Sequence, residues 1–208
     1  MKSIILLLLC GAAMTTQAQR LTNYVSFGLG TSIEKNIEGC SEQNRTRYIA
    51  SMAMYYRLTD RFSIGGEAIA SGKLGLFGNS SCNTTNATTN TLQLSPSNPT
   101  ASTVLLHGKM MLISYKEMEP YIDMGVGINT YSYSDPVKDA GKVKKRSFVF
   151  APEVGINMYK FQFACKMILG AKTPSFNGTD TENNRHVALE SIKAQQVYLT
   201  IGYQLFKL

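Results

Sequence analysis

The sequence predicts an all-β fold, an eight-stranded antiparallel up-and-down barrel. Three observations predict it. Segments that alternate large apolar residues with small or polar ones recur along the chain. The connections between them alternate between short and long. No segment holds a helical period over three turns. Alternation at period two marks a strand whose two faces meet different surroundings. Hairpin-sized links make consecutive strands antiparallel neighbours.

The first strand covers residues 24–33, with Val25, Phe27, Leu29 and Ile33 against Ser26, Gly28, Gly30 and Ser32. In 48–58, Ala50, Met52, Met54, Tyr56 and Leu58 oppose Ser51, Ala53 and Arg57. Residues 62–70 set Phe62, Ile64 and Ala68 against Ser63, Gly65 and Glu67. Residues 104–113 set Val104, Leu106, Met110 and Leu112 against His107 and Lys109. The fifth segment, 120–133, opposes Ile122, Met124, Val126 and Ile128 to Asp123, Gly125, Gly127 and Asn129. The sixth, 148–158, opposes Phe148, Phe150, Val154 and Ile156 to Glu153, Gly155 and Asn157. In 161–171, Phe161, Phe163, Met167 and Leu169 face away from Gln162, Lys166 and Gly170. The last, 197–205, opposes Val197, Leu199, Ile201, Tyr203 and Leu205 to Thr200, Gly202 and Gln204.

Short turns are expected at Thr59-Asp60-Arg61, at 116–119 and at Tyr159-Lys160, and long polar connections at 34–47, 75–101, 134–146 and 173–194. Short turns at one end and long loops at the other are the pattern of a transmembrane barrel. An even strand number puts both termini at the turn end, which is periplasmic in that arrangement. Closure also removes the edge strands that no helix here would cover.

Composition agrees. Mean hydropathy is −0.09, which excludes a bundle of membrane-spanning helices. The one continuous apolar run, residues 4–10, is far shorter than the roughly 20 residues such a helix needs. That run reads as the core of a signal peptide over residues 1–18: Lys2 precedes it, and Thr16-Gln17-Ala18 supplies a small-x-small cleavage site. The barrel then occupies 19–208. Cys10 offers a rival reading as a lipid-acylated residue, but Leu9 stands where that processing requires something small.

The small and polar face holds Arg57, Glu67, Lys109, Asp123, Glu153 and Lys166, three basic and three acidic. A soluble ligand-carrying barrel would turn this face to water and crowd it with Lys and Glu. Small residues with a few balanced charges suit instead a narrow, side-chain-filled lumen. The apolar face then meets lipid. A two-residue turn at Tyr159-Lys160 sets Glu153 opposite Lys166. His107 is expected to join the same interior network. Tyr24, Tyr48, Tyr56, Tyr115, Tyr121, Tyr131, Tyr133 and Tyr203 gather near strand ends and are assigned to interfacial girdles, in the absence of Trp.

The stretch Tyr56-Arg57-Leu58-Thr59-Asp60-Arg61-Phe62-Ser63-Ile64-Gly65 resembles a hairpin of small Gram-negative outer-membrane barrels. Pro120-Tyr121-Ile122-Asp123-Met124-Gly125-Val126-Gly127 and Ala151-Pro152-Glu153-Val154-Gly155 are similar to segments of the same proteins. The resemblance covers nearly all of 19–208 and points to the outer-membrane β-barrel-domain family, of the OmpX and OmpA-barrel kind. Gln19 after the signal looks like exported proteins of Bacteroidetes-type bacteria. The family's last strand usually ends in an aromatic residue read by the insertion machinery; here Phe206 is followed by Lys207 and Leu208. The resemblance implies a monomer in the outer membrane, with extracellular loops, outer-membrane lipids and lipopolysaccharide around it, and the barrel-insertion machinery as a partner. No nucleic acid is expected.

Chemistry is sparse. An enzyme acting on lipid would pair His107 with a serine, but Ser102 and Ser114 stand at the strand's ends. The cysteine and histidine spacing fits no metal site, and Gly125-Val126-Gly127 reads as room for a barrel interior rather than a nucleotide loop. No cofactor is implied. Lys138, Lys142, Lys144, Lys145 and Arg146 make the third long loop basic, matching lipopolysaccharide phosphates or simply water. Export exposes Cys40, Cys82 and Cys165 to oxidation. Cys40 and Cys82 fall in long loops of the same end and are the candidate disulfide, whereas Cys165 lies on the lipid-facing side of its strand. The functional expectation is a non-enzymatic barrel acting in envelope integrity or surface interaction through its loops. The alternatives are a narrow porin-like channel and, less favoured, a lipid-modifying enzyme.

Overall fold

A computed structural model of the chain describes residues 21–34, 43–73, 84–86, 91–93, 100–113, 118–133, 143–173, 175–180, 185–189, 191 and 193–207. In chain order the strands are β1 (Leu21–Glu34), β2 (Gln43–Arg57), β3 (Phe62–Lys73), β4 (Thr84–Asn86), β5 (Thr91–Gln93), β6 (Thr100–Met111), β7 (Met118–Tyr133), β8 (Val143–Met158), β9 (Phe161–Lys172), β10 (Phe176–Asp180), β11 (Arg185–Leu189) and β12 (Lys193–Lys207). Eight of them close into one barrel in the order β1-β12-β9-β8-β7-β6-β3-β2, every pair antiparallel. Among the described residues there is no helix.

Each barrel strand grows from one of the alternating segments, and all but β7 run further toward the long connections. Phe27, Val104, Leu106, Phe148 and Leu199 point outward and expose well over half of their surface. The alternate positions are buried in the lumen, as in β6, where every second residue from Ala101 to Met111 is covered. An apolar belt around a closed barrel is costly in water and at home in hydrocarbon.

Two turns show how the sequence closes its hairpins. Thr59 Oγ1 accepts from the Phe62 N–H at 3.0 Å, a side-chain turn that ends β2 and starts β3. Tyr159 and Lys160 join β8 to β9, with Tyr159 at φ 56°, a left-handed conformation that is uncommon outside glycine and asparagine.

Three expectations need correction. Gly170, assigned to the lumen by alternation, is exposed at φ 86°. It sits in a bulge of β9 that inserts one extra residue, so that Ile168 and Ala171, three positions apart, both point inward. The 34–47 connection is shorter than expected, since β2 begins at Gln43 and buries Arg47 completely. The second and fourth long connections also carry structure of their own. β4, β5, β10 and β11 form a separate sheet in the order β10-β11-β5-β4, with β11 and β5 parallel. Residues 1–18, the Cys40 and Cys82 pair, Tyr115 and Ser114 lie outside the described residues.

Candidate functional site: the barrel lumen

The lumen has two halves. Toward the turns it is ionic. Glu67 comes from β3, His107 and Lys109 from β6, Asp123 from β7, Glu153 from β8 and Lys166 from β9, each buried. Lys166 Nζ donates to the Glu67 carboxylate and stands 2.9 Å from Glu153 Oε2. Because β3 and β9 lie four strands apart in the ring of eight, the Lys166–Glu67 pair crosses the full width of the lumen. His107 bridges two carboxylates, with Nδ1 3.0 Å from Asp123 Oδ1 and Nε2 2.9 Å from Glu67 Oε2. An imidazolium satisfies both contacts as a donor, and a neutral ring only one. Three acidic groups then face Lys109, Lys166 and His107. Gly125 leaves the space that the His107 ring fills.

Tyrosines complete the network. Tyr55 donates to Asp123 Oδ2 at 2.6 Å and Tyr121 to Glu153 Oε1 at 2.6 Å. Gln162 Nε2 donates in turn to the Tyr121 hydroxyl at 2.6 Å. Lys109 is held differently. Its Nζ has no hydrogen-bond partner among the described residues, and lies 3.6 Å from the Tyr121 ring centre and 5.0 Å from those of Tyr24 and Tyr55. Three aromatic faces supply the attraction that a hydrogen bond would otherwise give.

Toward the loops an apolar cluster fills the lumen, with buried polar residues such as Ser71, Thr103, Asn129 and Gln196 around it. Ile49, Ile69, Leu105, Val149 and Ile168 pack with Ala101, Ala151, Ala171 and Ala194, beneath Tyr131 and Tyr198. Among the described residues the buried cation of this half is Arg47, 5.2 Å from the Tyr131 ring centre. Tyr198 donates to Gln196 Oε1 at 2.7 Å.

The seven residues expected in the interior divide six to one. Glu67, His107, Lys109, Asp123, Glu153 and Lys166 form one cluster, while Arg57 is half-buried at the turn-side mouth of β2, outside it. The girdle assignment fails for Tyr24, Tyr121 and Tyr131, which are lumen residues. Their strand parity already put them with Ser26, Asp123 and Asn129, and proximity to a strand end outweighed it. Tyr48 and Tyr203 do face outward. Gln162 lies inward as its parity predicts, whereas Tyr55, Arg47, Gln196 and Tyr198 went unnoticed, although parity again places each inward. Ser102 is exposed on the outer face while both His107 nitrogens face carboxylates, so that serine–histidine pair is not assembled. Cys165 carries a free thiol on β9.

No family model and no curated protein matches the chain. Solved structures do. Neisserial surface protein A superposes with a TM-score of 0.55 at 8% identity, over 89% of this chain and 97% of that one. The fold is that of a small outer-membrane barrel. The attachment invasion locus protein Ail of Yersinia pestis aligns over 90% of this chain and 99% of its own, with 11% identity and a TM-score of 0.47. The outer membrane protease OmpT of Escherichia coli aligns over 91% and 98%, with 12% identity and a TM-score of 0.38.

Proposed function

We propose that this chain is a non-enzymatic integral protein of the bacterial outer membrane, with a closed lumen, that acts at the envelope surface through its loop end. The observation carrying this reading is the Lys166–Glu67 pair across the lumen, sealed beneath an apolar plug and ringed by an apolar outer face. An interior in which Glu67, Asp123, Glu153, His107 and Lys166 are held by one another, with both histidine nitrogens facing carboxylates, supports a structural rather than a catalytic role for this cluster. The long connections are assigned to the outside, with the short turns and both termini in the periplasm. Envelope integrity and surface binding are the roles open to such a molecule.

Two measurements test the reading. The chain should fractionate with outer membranes and migrate on gels in a heat-modifiable way; recovery from the soluble periplasm would end the proposal. In planar bilayers the refolded barrel should be electrically silent. Stepwise single-channel conductance would instead establish the porin-like alternative.

A further inference from the structure

We infer that the loop-side half of the barrel wall parts between β8 and β9, forming a lateral gate that pivots on the Glu153–Lys166 pair. The inference rests on the closed, membrane-inserted barrel proposed above. Every other seam stays paired to within one residue of a loop-side strand end, interrupted at most by one bulge. The β8–β9 seam does not. It is paired from Met158 opposite Phe161 up to Glu153 opposite Lys166, and then misses two positions on each strand. Phe150 opposite Leu169 follows as an isolated pair. No ladder pair lies beyond it, although β8 extends to Val143 and β9 to Lys172.

Two residues open the seam. Its register places Pro152 of β8 opposite Met167 of β9, and proline has no N–H to donate. The loss falls on the β9 side alone, since Pro152 keeps its place opposite Met124 in the ladder to β7. Proline within a sheet otherwise belongs at an edge or a bulge. Further along β9, Gly170 stands at φ 86° in the bulge, which bends the strand and breaks the ladder locally. Past the bulge the Lys172 N–H donates to Ser147 Oγ at 3.2 Å, a side chain in place of a backbone carbonyl. Where ladder bonds are few, local opening costs far less than unfolding the whole molecule.

The plug straddles this seam. Val149 and Ala151 enter it from β8, Ile168 and Ala171 from β9, and all four are fully buried. Parting the strands therefore divides the plug and opens it toward the outer face, where Phe148, Phe150 and Met167 stand. Lower down, Lys166 Nζ 2.9 Å from Glu153 Oε2, the continuous ladder and the Tyr159-Lys160 turn hold the strands together, so the ionic half stays shut. Both walls of the gap are apolar, so it takes uncharged apolar groups and passes no ions. β8 begins at the third long connection and β9 ends at the fourth. The gate thus links the plug to the loop end at which the chain is proposed to act.

The test uses the barrel refolded into phosphatidylcholine vesicles, with single cysteines placed in the plug. Ala151→Cys and Ala171→Cys lie beside the seam, and Ala101→Cys lies on β6, two strands away from it. N-(1-pyrenyl)maleimide, which partitions into the bilayer, is added, and labelling is mapped by peptide mass spectrometry with the native Cys165 thiol as a reference. Ala151→Cys and Ala171→Cys should label about tenfold faster than Ala101→Cys, the equivalent of one or two missing ladder hydrogen bonds. Adding Pro152→Val, which restores a donor opposite Met167, should slow labelling of Ala151→Cys about fivefold and leave Ala101→Cys unchanged. Should a cysteine variant not fold, hydrogen exchange of the unsubstituted barrel carries the test. The amides of 168–172 should exchange faster than those of 126–130 on fully paired β7, and Pro152→Val should slow them. Equal labelling at the three positions, or labelling and exchange that Pro152→Val does not slow, would overturn the inference. A barrel that inserts and labels evenly defeats this inference alone. A chain that stays in the aqueous phase defeats the membrane reading as well.

Discussion

The turn-side and loop-side halves of the lumen solve one problem in opposite ways. Both fill the narrow interior of an eight-stranded barrel, one chiefly with charges that face each other and one around a cluster of Ile, Leu, Val, Ala and Tyr. The ionic half is stable only as a set, because removing one member leaves buried charges without partners. The apolar half loses stability in proportion to the volume removed. The ionic half therefore fixes which strands face one another, and the apolar half excludes water.

The largest expected effect is on the ionic side. Lys166→Met leaves Glu67 and Glu153 facing each other without their shared cation, and should destabilise the barrel by about 3–5 kcal/mol. Denaturant unfolding of the refolded protein measures this. Adding Glu67→Gln should recover part of the loss, and a strictly additive double variant would show that the set does not act as one.

Ile168→Ala, in the plug, should cost about 2–4 kcal/mol in the same assay. Conductance then separates the halves. Combining Ile168→Ala with Leu105→Ala should admit ions to planar bilayers, whereas Lys166→Met keeps the plug and stays silent. Conductance in Lys166→Met alone would mean that the charges, and not the plug, seal the lumen.

Lys109 refines the comparison within the ionic half. It is buried like Lys166, but tyrosine faces surround it in place of carboxylate hydrogen bonds. Lys109→Met should cost only about 1–2 kcal/mol, the scale of a desolvated cation–π contact. Tyrosine fluorescence, unobscured because the chain has no Trp, should change more here than in Lys166→Met. An equal loss of stability in the two variants would remove the distinction.

The smallest effect lies outside the lumen. Tyr159→Gly removes the strain of a left-handed tyrosine and should stabilise the β8–β9 hairpin by about 1 kcal/mol. Denaturant unfolding measures the gain, and unchanged silence in planar bilayers would show that the sealed lumen is insulated from the turns.

Much was legible from alternation, because a side chain's face in a strand depends only on its parity within that strand. Phe148 outward and Glu153 inward follow from position alone, and the two-residue turn at Tyr159-Lys160 sets Glu153 opposite Lys166, where they stand 2.9 Å apart. The plug was readable in principle. In Val104-Leu105-Leu106, Phe148-Val149-Phe150 and Met167-Ile168-Leu169, the middle apolar residue must face away from its neighbours, and in a barrel that means inward.

The sequence by itself determined the number of barrel strands, the outward face, and the order of turns and loops, all of them local properties of period and turn chemistry. Tertiary structure decided who meets whom across that lumen. Lys166 and Glu67 are 99 residues apart and four strands apart around the ring, and no local pattern relates them. Their contact exists because β12 closes on β1 in one register. Closure and register are collective properties of eight strands, so contacts across the barrel are settled only when the last strand meets the first.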